Sequence, residues 1–524
     1  MTSNYPWPTI IVPLPVPAGL LIPPLPPPKG GNKIVRRYTL GIRSPEFPPI
    51  THTLCYHFES KSPFVQSRED YDWINIPPDF HWRLGIDGLT MGLIPPTGFV
   101  TTSATPAARP VTRSPRSFYP SMLAMHSGQV GSFASQDILP PFLVWEPELI
   151  PAHSLLRSWG GKRRSYAATK SIPYTAAGGP ISLLSGAITM GLYMPGEPAL
   201  DFRVPADRSH PAALEMVSYL SFPIAYAIKP PILPSHARSP DTHGEAHYST
   251  RMLPAGASSK MGGYGPLRIN MESSPSAHSI FAPGLAVVGA IQIVCAASIS
   301  PNQRSVKRRI AHPPVSHTGF VPIGIGPITE IGPEGAILQM ISHGLIGAAL
   351  SPIGGAGCDR MQTPFLGRMG GIAIPMPKIF ILFSSLPIAS LALPGMSGSA
   401  AESMVSPGIA GSTNRSYDSK IIVLVTAAIG IILTPIHPLS MPRQMPYGYS
   451  GVTPAVPRVM DYGPREIFIP IRPLLPVIGI GLYPNAVLSL CQSGIYPISI
   501  SPEQTAIYPF HSFPPAANKI IVDQ

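Results

Sequence analysis

The sequence predicts an all-α polytopic membrane protein, and three observations predict it. Only 12% of the 524 residues are charged, about half of the roughly 25% found in ordinary globular chains. The charges are spaced so that ten windows of 20 to 31 residues contain no Asp, Glu, Lys or Arg, and a helix of ~20 residues crosses a bilayer. Runs such as "KIIVLVTAAIGIIL" (420–433) and "AVVGAIQIVCAA" (286–297) are strongly apolar. One observation opposes these: 70 residues are proline and the mean hydropathy is only +0.20. A Pro-rich disordered chain would explain the prolines but not the rest, because disordered segments are highly charged and poor in Ile, Leu and Met.

Taken in order, window 2–28 has no basic n-region and no small-residue cleavage site, so it reads as a first span rather than a signal peptide. Windows 88–108 and 117–136 supply the next spans. "FLVWEPELIP" (142–151) then sets Glu146 and Glu148 in apolar surroundings, ahead of the basic cluster "GGKRRS" (160–165). Four candidate spans follow, at 171–196, about 216–232, about 246–268 and 273–303, before a second basic cluster, "RSVKRR" (304–309). An even number of crossings returns the chain to the same side, so both clusters face one compartment, as positive loops do. Windows 310–329, 335–358, 379–401, 421–442 and 473–502 complete the series.

Charge inside such spans is the functional signal, since one ionisable group at mid-membrane costs about 2.5 to 3.5 kcal/mol and marks ion or proton paths. Glu146, Lys229 in "IAYAIKPPI", Lys260 in "AGASSKMGGYG" and Glu402 just after "LALPGMSGSAA" are such groups, with His317 in "VSHTGF" and His343 in "ISHGLIG" between the last two. Singly, each is as well read as a snorkelling or loop-edge residue. Together, alternating Glu, Lys and His can hand on a proton as coupled pairs.

Other chemistries find no support. In "ILPSHARSPDTHGEAHYST" (232–250), His243 and His247 are four apart, but Gly244 stands where the metalloprotease motif needs Glu, so no metal is expected. Cys55, Cys295, Cys358 and Cys491 form no CxxC pair for zinc or an iron–sulfur cluster. "GIGPIT" (324–329) and "GIGLYP" (479–484) lack the last Gly of a dinucleotide fingerprint. The net charge of +11 sits in short clusters without interleaved aromatics, which argues against nucleic acid.

"WRLGIDGLTMG" (82–92), "ELIP" with "WGGK" (148–151, 159–162), "PDTHGEAHYS" (240–249), "KMGGYG" (260–265), "SHTGF" (316–320), "GAILQMISHG" (335–344) and "LALPGMSG" (391–398) resemble the antiporter-like membrane subunits of the plastid NAD(P)H-quinone oxidoreductase, the photosynthetic relative of respiratory complex I. The resemblance implies about fourteen transmembrane helices, with two inverted five-helix repeats that each contain one interrupted helix. It divides the chain into N-terminal helices (1–110), a first repeat (111–270), a second repeat (271–450) and a C-terminal region (451–524). It pairs Glu146 with Lys229, makes Lys260 a relay and His317 and His343 bridges, and gives Glu402 the far-side exchange role. It implies no cofactor in this chain; NAD(P)H or ferredoxin, FMN, iron–sulfur clusters and plastoquinone belong to partner subunits of the membrane-bound complex. The implied surroundings are the other membrane-arm subunits, the thylakoid bilayer of the chloroplast and, through the complex, the plastoquinone pool. A stand-alone cation/proton antiporter is the alternative.

The departures from the family pattern are one-sided. Where that pattern reads "HTWLPDTHGEAH" this chain reads "HARSPDTHGEAH", with Arg238 for Trp and Ser239 for Leu. His126, His153, His312 and His437 stand at Tyr positions, Ser258, Ser259 and Pro266 at Leu, Arg251 at Cys and Ser399 at Phe. Most are reversed by changing cytosine to uracil in a codon, which predicts a transcript edited before translation. A decaying pseudogene is the alternative, opposed by the intact candidate proton-path residues.

Overall fold

The computed structural model describes residues 6–24, 33–52, 58–59, 65–74, 80–137, 143–192, 212–371, 373–391, 393–412, 417–447 and 461–499. Cys55, the ends of windows 2–28, 171–196 and 473–502, and much of the 451–524 block lie outside these residues, as does the side chain of His437.

The described parts of the charge-free windows lie largely on helices. Window 88–108 is the helix Gly88–Ala107, which starts at Asp87 because the Asp87 carboxylate accepts from the Thr90 N–H at 2.9 Å and the Thr90 hydroxyl accepts from the Asp87 N–H at 2.8 Å, a reciprocal cap of otherwise orphaned donors. Window 117–136 is the helix Pro115–Ala134, and 273–303 the helix Pro275–Ile299. The molecule is organised around Ile331–Met361, 31 residues long and buried along most of its length. Helices Tyr248–Leu253, Phe320–Ile325, Ser397–Ala410 and Pro464–Leu482 pack against it. Such a helix is ~46 Å long, enough to cross a bilayer. Among the described residues, three helical stretches are long and apolar enough to span alone: Pro275–Asn302, Ile331–Met361 and Tyr417–Gln444. Pro464–Leu482 with Asn485–Gln492 passes that test as a pair bent by 82°.

Proline shortens the other spans. Pro95, Pro96 and Pro106 sit inside the Gly88–Ala107 helix, and Pro470, Pro473 and Pro476 inside Pro464–Leu482. Each removes a backbone donor and crowds the carbonyl four residues earlier. In the segment Tyr248–Asn270 the response is visible: the helix widens to π-type turns at Pro254–Ser258 and Pro266–Asn270, each beginning at a proline, with Ser259–Gly265 between them. Among the described residues two helices give way to non-helical stretches of about seven residues. Ala212–Ala227 gives way over 228–234, where Pro230, Pro231 and Pro234 cluster, before the chain resumes at Ser235–Ala237 and Arg238–Glu245. Pro377–Ala389 stops before Ser397–Ala410, across a gap where Gly395 takes φ +91°. Broken backbone inside a membrane protein is tolerated where protein or a cavity surrounds it.

The sequence predicts helices alone, but an antiparallel hairpin is also present, β1 (Gln66–Ile74) with β2 (Phe80–Ile86). Its cross-strand pairs explain it: Asp70 faces Arg83 with an ion pair at 2.8 Å, and Tyr71 faces Trp82. Opposite charges and aromatics at facing positions are the stabilising unit of a sheet. Arg83 also reaches Asp137 at 3.3 Å, tying the hairpin to the end of the Pro115–Ala134 helix.

The two basic clusters meet at one end of the bundle. Glu245 accepts from the Arg163 N–H at 3.0 Å, and Asp241 holds Lys170 at 2.7 Å and Arg308 at 3.1 Å. The carboxylates of the stretch 232–250 therefore anchor basic residues in and next to both clusters. His247 serves the stretch as a helix cap, its Nδ1 accepting from the Ser249 N–H at 3.3 Å. Among the described residues no group of three His, Cys, Asp or Glu is placed to hold a metal ion.

Candidate proton path

Lys229 lies in the first helix break, at the edge of a pair of prolines. Its side chain is 7% exposed, with Nζ 4.5 Å from the centre of the Trp145 ring. That ring stacks on Tyr226 at 4.9 Å. A cation over an aromatic face is held by the ring quadrupole, so the break presents the ammonium inward rather than to lipid.

The carboxylate that meets this ammonium is Glu148, at 3.6 Å. The resemblance assigned the pairing to Glu146; in this structure the carboxylate within ion-pair distance is Glu148, and Glu146 acts on Lys229 from farther away. Pro147 between the two glutamates tightens the chain: Leu149 N–H bonds to the Glu146 carbonyl at 2.9 Å and Ile150 N–H to the Pro147 carbonyl at 3.1 Å, both three residues back. A turn wound this way rotates faster per residue than an α-helix, bringing Glu148 inward and leaving Glu146 half-buried. Glu148 is 3% exposed. Its Oε1 accepts from the Ser258 hydroxyl at 2.6 Å and from the Gln129 amide at 3.1 Å.

Lys260 sits between the two π-type turns, 3% exposed. Widening at Pro254–Ser258 frees carbonyls, and Lys260 Nζ donates to one of them, that of Ala255. It also donates to the Ser259 hydroxyl at 2.9 Å and meets His343 Nδ1 at 3.0 Å. Such π-type turns recur at functional sites because they expose backbone acceptors. His343 lies midway along the central helix Ile331–Met361, followed by Gly344. A Cβ at Gly344 would stand 2.8 Å from Lys260 Cε and 2.9 Å from the Gly256 carbonyl, so glycine is what admits the lysine.

From His343 the line continues to His317 and Glu402. The two imidazoles are 6.3 Å apart between centroids, with planes 29° apart. His317 Nδ1 is 3.1 Å from Glu402 Oε1. Glu402, 5% exposed, stands in the helix that resumes after the second break. A cavity of about 460 Å³ is lined by Lys260, His317, His343 and Gln339, by Ser235, Ser259 and Thr318, and mostly by apolar residues such as Ile224, Ile228 and Val321. It is roomy enough for water to bridge groups that do not touch.

Of the six residues singled out from sequence, the structure thus strings Lys260, His343, His317 and Glu402 into one line, places Lys229 at its near end and sets Glu146 beside that end. Ser258 and Ser259, adjacent in the chain, connect the halves: one hydroxyl is on Glu148 and the other on Lys260. Glu148 and Gln129 were not singled out. Glu148 was within reach of sequence reasoning, two residues from Glu146 in the same apolar stretch; Gln129, a neutral residue in a distant helix, carried no signal.

Two interrupted helices, each with a buried ionisable group near its break and a lysine and two histidines between them inside a helical bundle, define an antiporter-like membrane subunit. Residues 135–432 match the family described as NADH:quinone oxidoreductase/Mrp antiporter, transmembrane. A curated relative, NAD(P)H-quinone oxidoreductase chain 4, chloroplastic, of Huperzia lucidula, is 66% identical over 495 residues, covering 94% of this chain and 98% of the relative. The chain belongs to this family of membrane subunits. Its fold is also similar to that of a chain of respiratory complex I from Thermus thermophilus, with TM-score 0.80, 22% identity and 94% and 99% of the two chains covered. A chain of the Mrp complex from Dietzia sp. gives TM-score 0.79 at 16% identity, with 97% and 99% covered.

Proposed function

We propose that the chain is a proton-translocating membrane subunit of a chloroplast NAD(P)H- or ferredoxin-plastoquinone oxidoreductase, seated in the thylakoid membrane with the other membrane-arm subunits. Electron transfer to plastoquinone elsewhere in the complex, through FMN and iron–sulfur clusters, then drives protons along this chain, which itself breaks no bond. The observation that carries this reading is the buried line Lys260, His343, His317, Glu402, with Lys229 and its glutamates at one end. Steps of 3.0 and 3.1 Å at its ends suit direct proton transfer, and the gap between the histidines suits transfer through cavity water. The fourteen-helix count and the division at 110, 270 and 450 belong to the same proposal.

The test is Lys229→Ala in membranes that contain the assembled complex. Quinone-linked proton uptake should fall at least about tenfold, because truncation removes the ammonium and leaves Glu148 buried without its cation. Undiminished uptake would remove Lys229 from the path. An isolated antiporter would not migrate within a large assembly on native gels, which separates the rival reading.

We further propose that the mature chain is spelled differently from the gene translation. Arg251 supports this: it is 1% exposed, and its Nε and Nη1 have no hydrogen-bond partner among the described residues, Nη2 alone donating to the Ala246 carbonyl at 3.3 Å. A half-satisfied buried guanidinium is costly, and the family pattern has Cys there. Peptide mass spectrometry of thylakoid membranes should find Ser235→Leu, Arg238→Trp, Ser239→Leu, His153→Tyr, Ser258→Leu and Ser259→Leu, with Glu146, Lys229, Lys260 and Glu402 unchanged. Recovery of the printed peptide from an active complex would overturn it.

A further inference from the structure

We infer that Glu148 is the positioning residue of the Lys229 site, holding the ammonium in place with the help of Gln129. The inference rests on the proton-path reading. Three elements converge on this carboxylate. The turn at 146–148 supplies it, the first helix break supplies Lys229 at 3.6 Å, and the Pro115–Ala134 helix supplies the Gln129 amide at 3.1 Å. Gln129 is fully buried.

The carboxylate divides its work between its two oxygens. Oε1 is occupied by neutral donors, Gln129 and Ser258, while Oε2 faces the ammonium. Donors on one oxygen fix the plane of the carboxylate, and the fixed plane aims the other oxygen. The ammonium also meets the face of Trp145 at 4.5 Å, so the lysine is held by both an aromatic ring and an anchored carboxylate. Gly128, next to Gln129, permits the close approach: a Cβ there would stand 3.2 Å from both the Glu148 Cβ and the Val144 carbonyl. The Gln129 amide also donates to the Ser258 hydroxyl at 3.0 Å, but its bond to Glu148 is direct and does not pass through Ser258, one of the positions proposed to become Leu.

The experiment compares Glu148→Gln, Glu148→Asp and Lys229→Ala in assembled complexes whose chain carries Pro147, reading protons translocated per quinone reduced with a pH-sensitive dye. The expected result is a loss of about tenfold in Glu148→Gln, equal to ~1.4 kcal/mol, and recovery of at least half in Glu148→Asp, which restores a carboxylate. A merely structural role would give no such charge-specific rescue. Normal pumping in Glu148→Gln beside a failed Lys229→Ala overturns this inference alone; normal pumping in Lys229→Ala overturns the path reading beneath it. Should Glu148→Gln not assemble, Glu148→Gln with Lys229→Gln decides: restored assembly supports the inference, because the unpaired buried ammonium is gone, and continued failure overturns it.

Discussion

At Gly344 the proposed path depends on the absence of a side chain. Lys260 reaches His343 only by passing over the next residue, and a methyl group there would lie inside normal contact distance of both Lys260 Cε and the Gly256 carbonyl. Moving the lysine relieves only the first of these contacts; the second is with backbone, so the Gly256 turn and the central helix must give as well. Gly344→Ala should therefore leave the complex assembled at an overpacking cost of about 1–3 kcal/mol and lower proton uptake by breaking the 3.0 Å Lys260–His343 contact; uptake at the parental rate would show that this contact is dispensable. Arg251 presents the opposite case, a side chain that its site does not accommodate. Replacement by Cys empties roughly 85 Å³, a cavity term of about 2 kcal/mol, but removes a poorly satisfied ion whose burial costs several kcal/mol. Arg251→Cys should raise the thermal midpoint of the detergent-solubilised protein. A lowered midpoint would mean that the guanidinium is better satisfied than its geometry indicates.

Among the elements, the short turn at 146–148 decides more than its length suggests. Successive residues of an α-helix are about 100° apart, so Glu146 and Glu148 stand about 200° apart on a regular helix and cannot both face Lys229. With Pro147 in place the tightened turn favours Glu148. Pro147→Leu restores the missing donor and the regular winding, and should hand Lys229 to Glu146: in that background Glu146→Gln should become the damaging change and Glu148→Gln the mild one. Equal damage from Glu148→Gln in both backgrounds would show that residue 147 does not select the partner. The π-type turns around Lys260 follow the same physics, since each starts where a proline cannot donate, and one of them supplies the carbonyl that Lys260 uses. Neither the turn nor the π widening is written in hydrophobic periodicity, which reports the face of a helix and not its local pitch.

For the whole molecule, three long apolar spans and one bent pair among the described residues stand beside many shorter helices interrupted or ended near proline. An interior proline costs ~3 kcal/mol or more, against a net stability of roughly 5 to 15 kcal/mol for a domain. Some of the prolines stand at the two breaks, at first turns and at π-type turns, where a missing donor is cheapest, but others, such as Pro95, Pro96, Pro352, Pro470 and Pro473, stand inside helices. If Pro and Ser positions are Leu in the mature chain, the short helices should lengthen into full spans and the cavity beside His317, lined by Pro223, Pro230, Ser259, Pro266 and Pro322 among others, should shrink.

The sequence by itself determined that this is a multi-span helical membrane protein, because charge-free windows of bilayer length leave few other folds, and it made Lys229, Lys260, His317, His343 and Glu402 candidates, because ionisable groups in apolar spans are conspicuous for their cost. It also predicted, by counting crossings, that both basic clusters face one side. Only the tertiary structure decided that Glu148 rather than Glu146 meets Lys229, that Gln129 anchors it, and that residues 85 apart, His317 and Glu402, touch. The physical reason is that desolvation cost is a property of a residue and its neighbours in the chain, whereas partnership depends on rotation about a turn and on side chains delivered by distant helices.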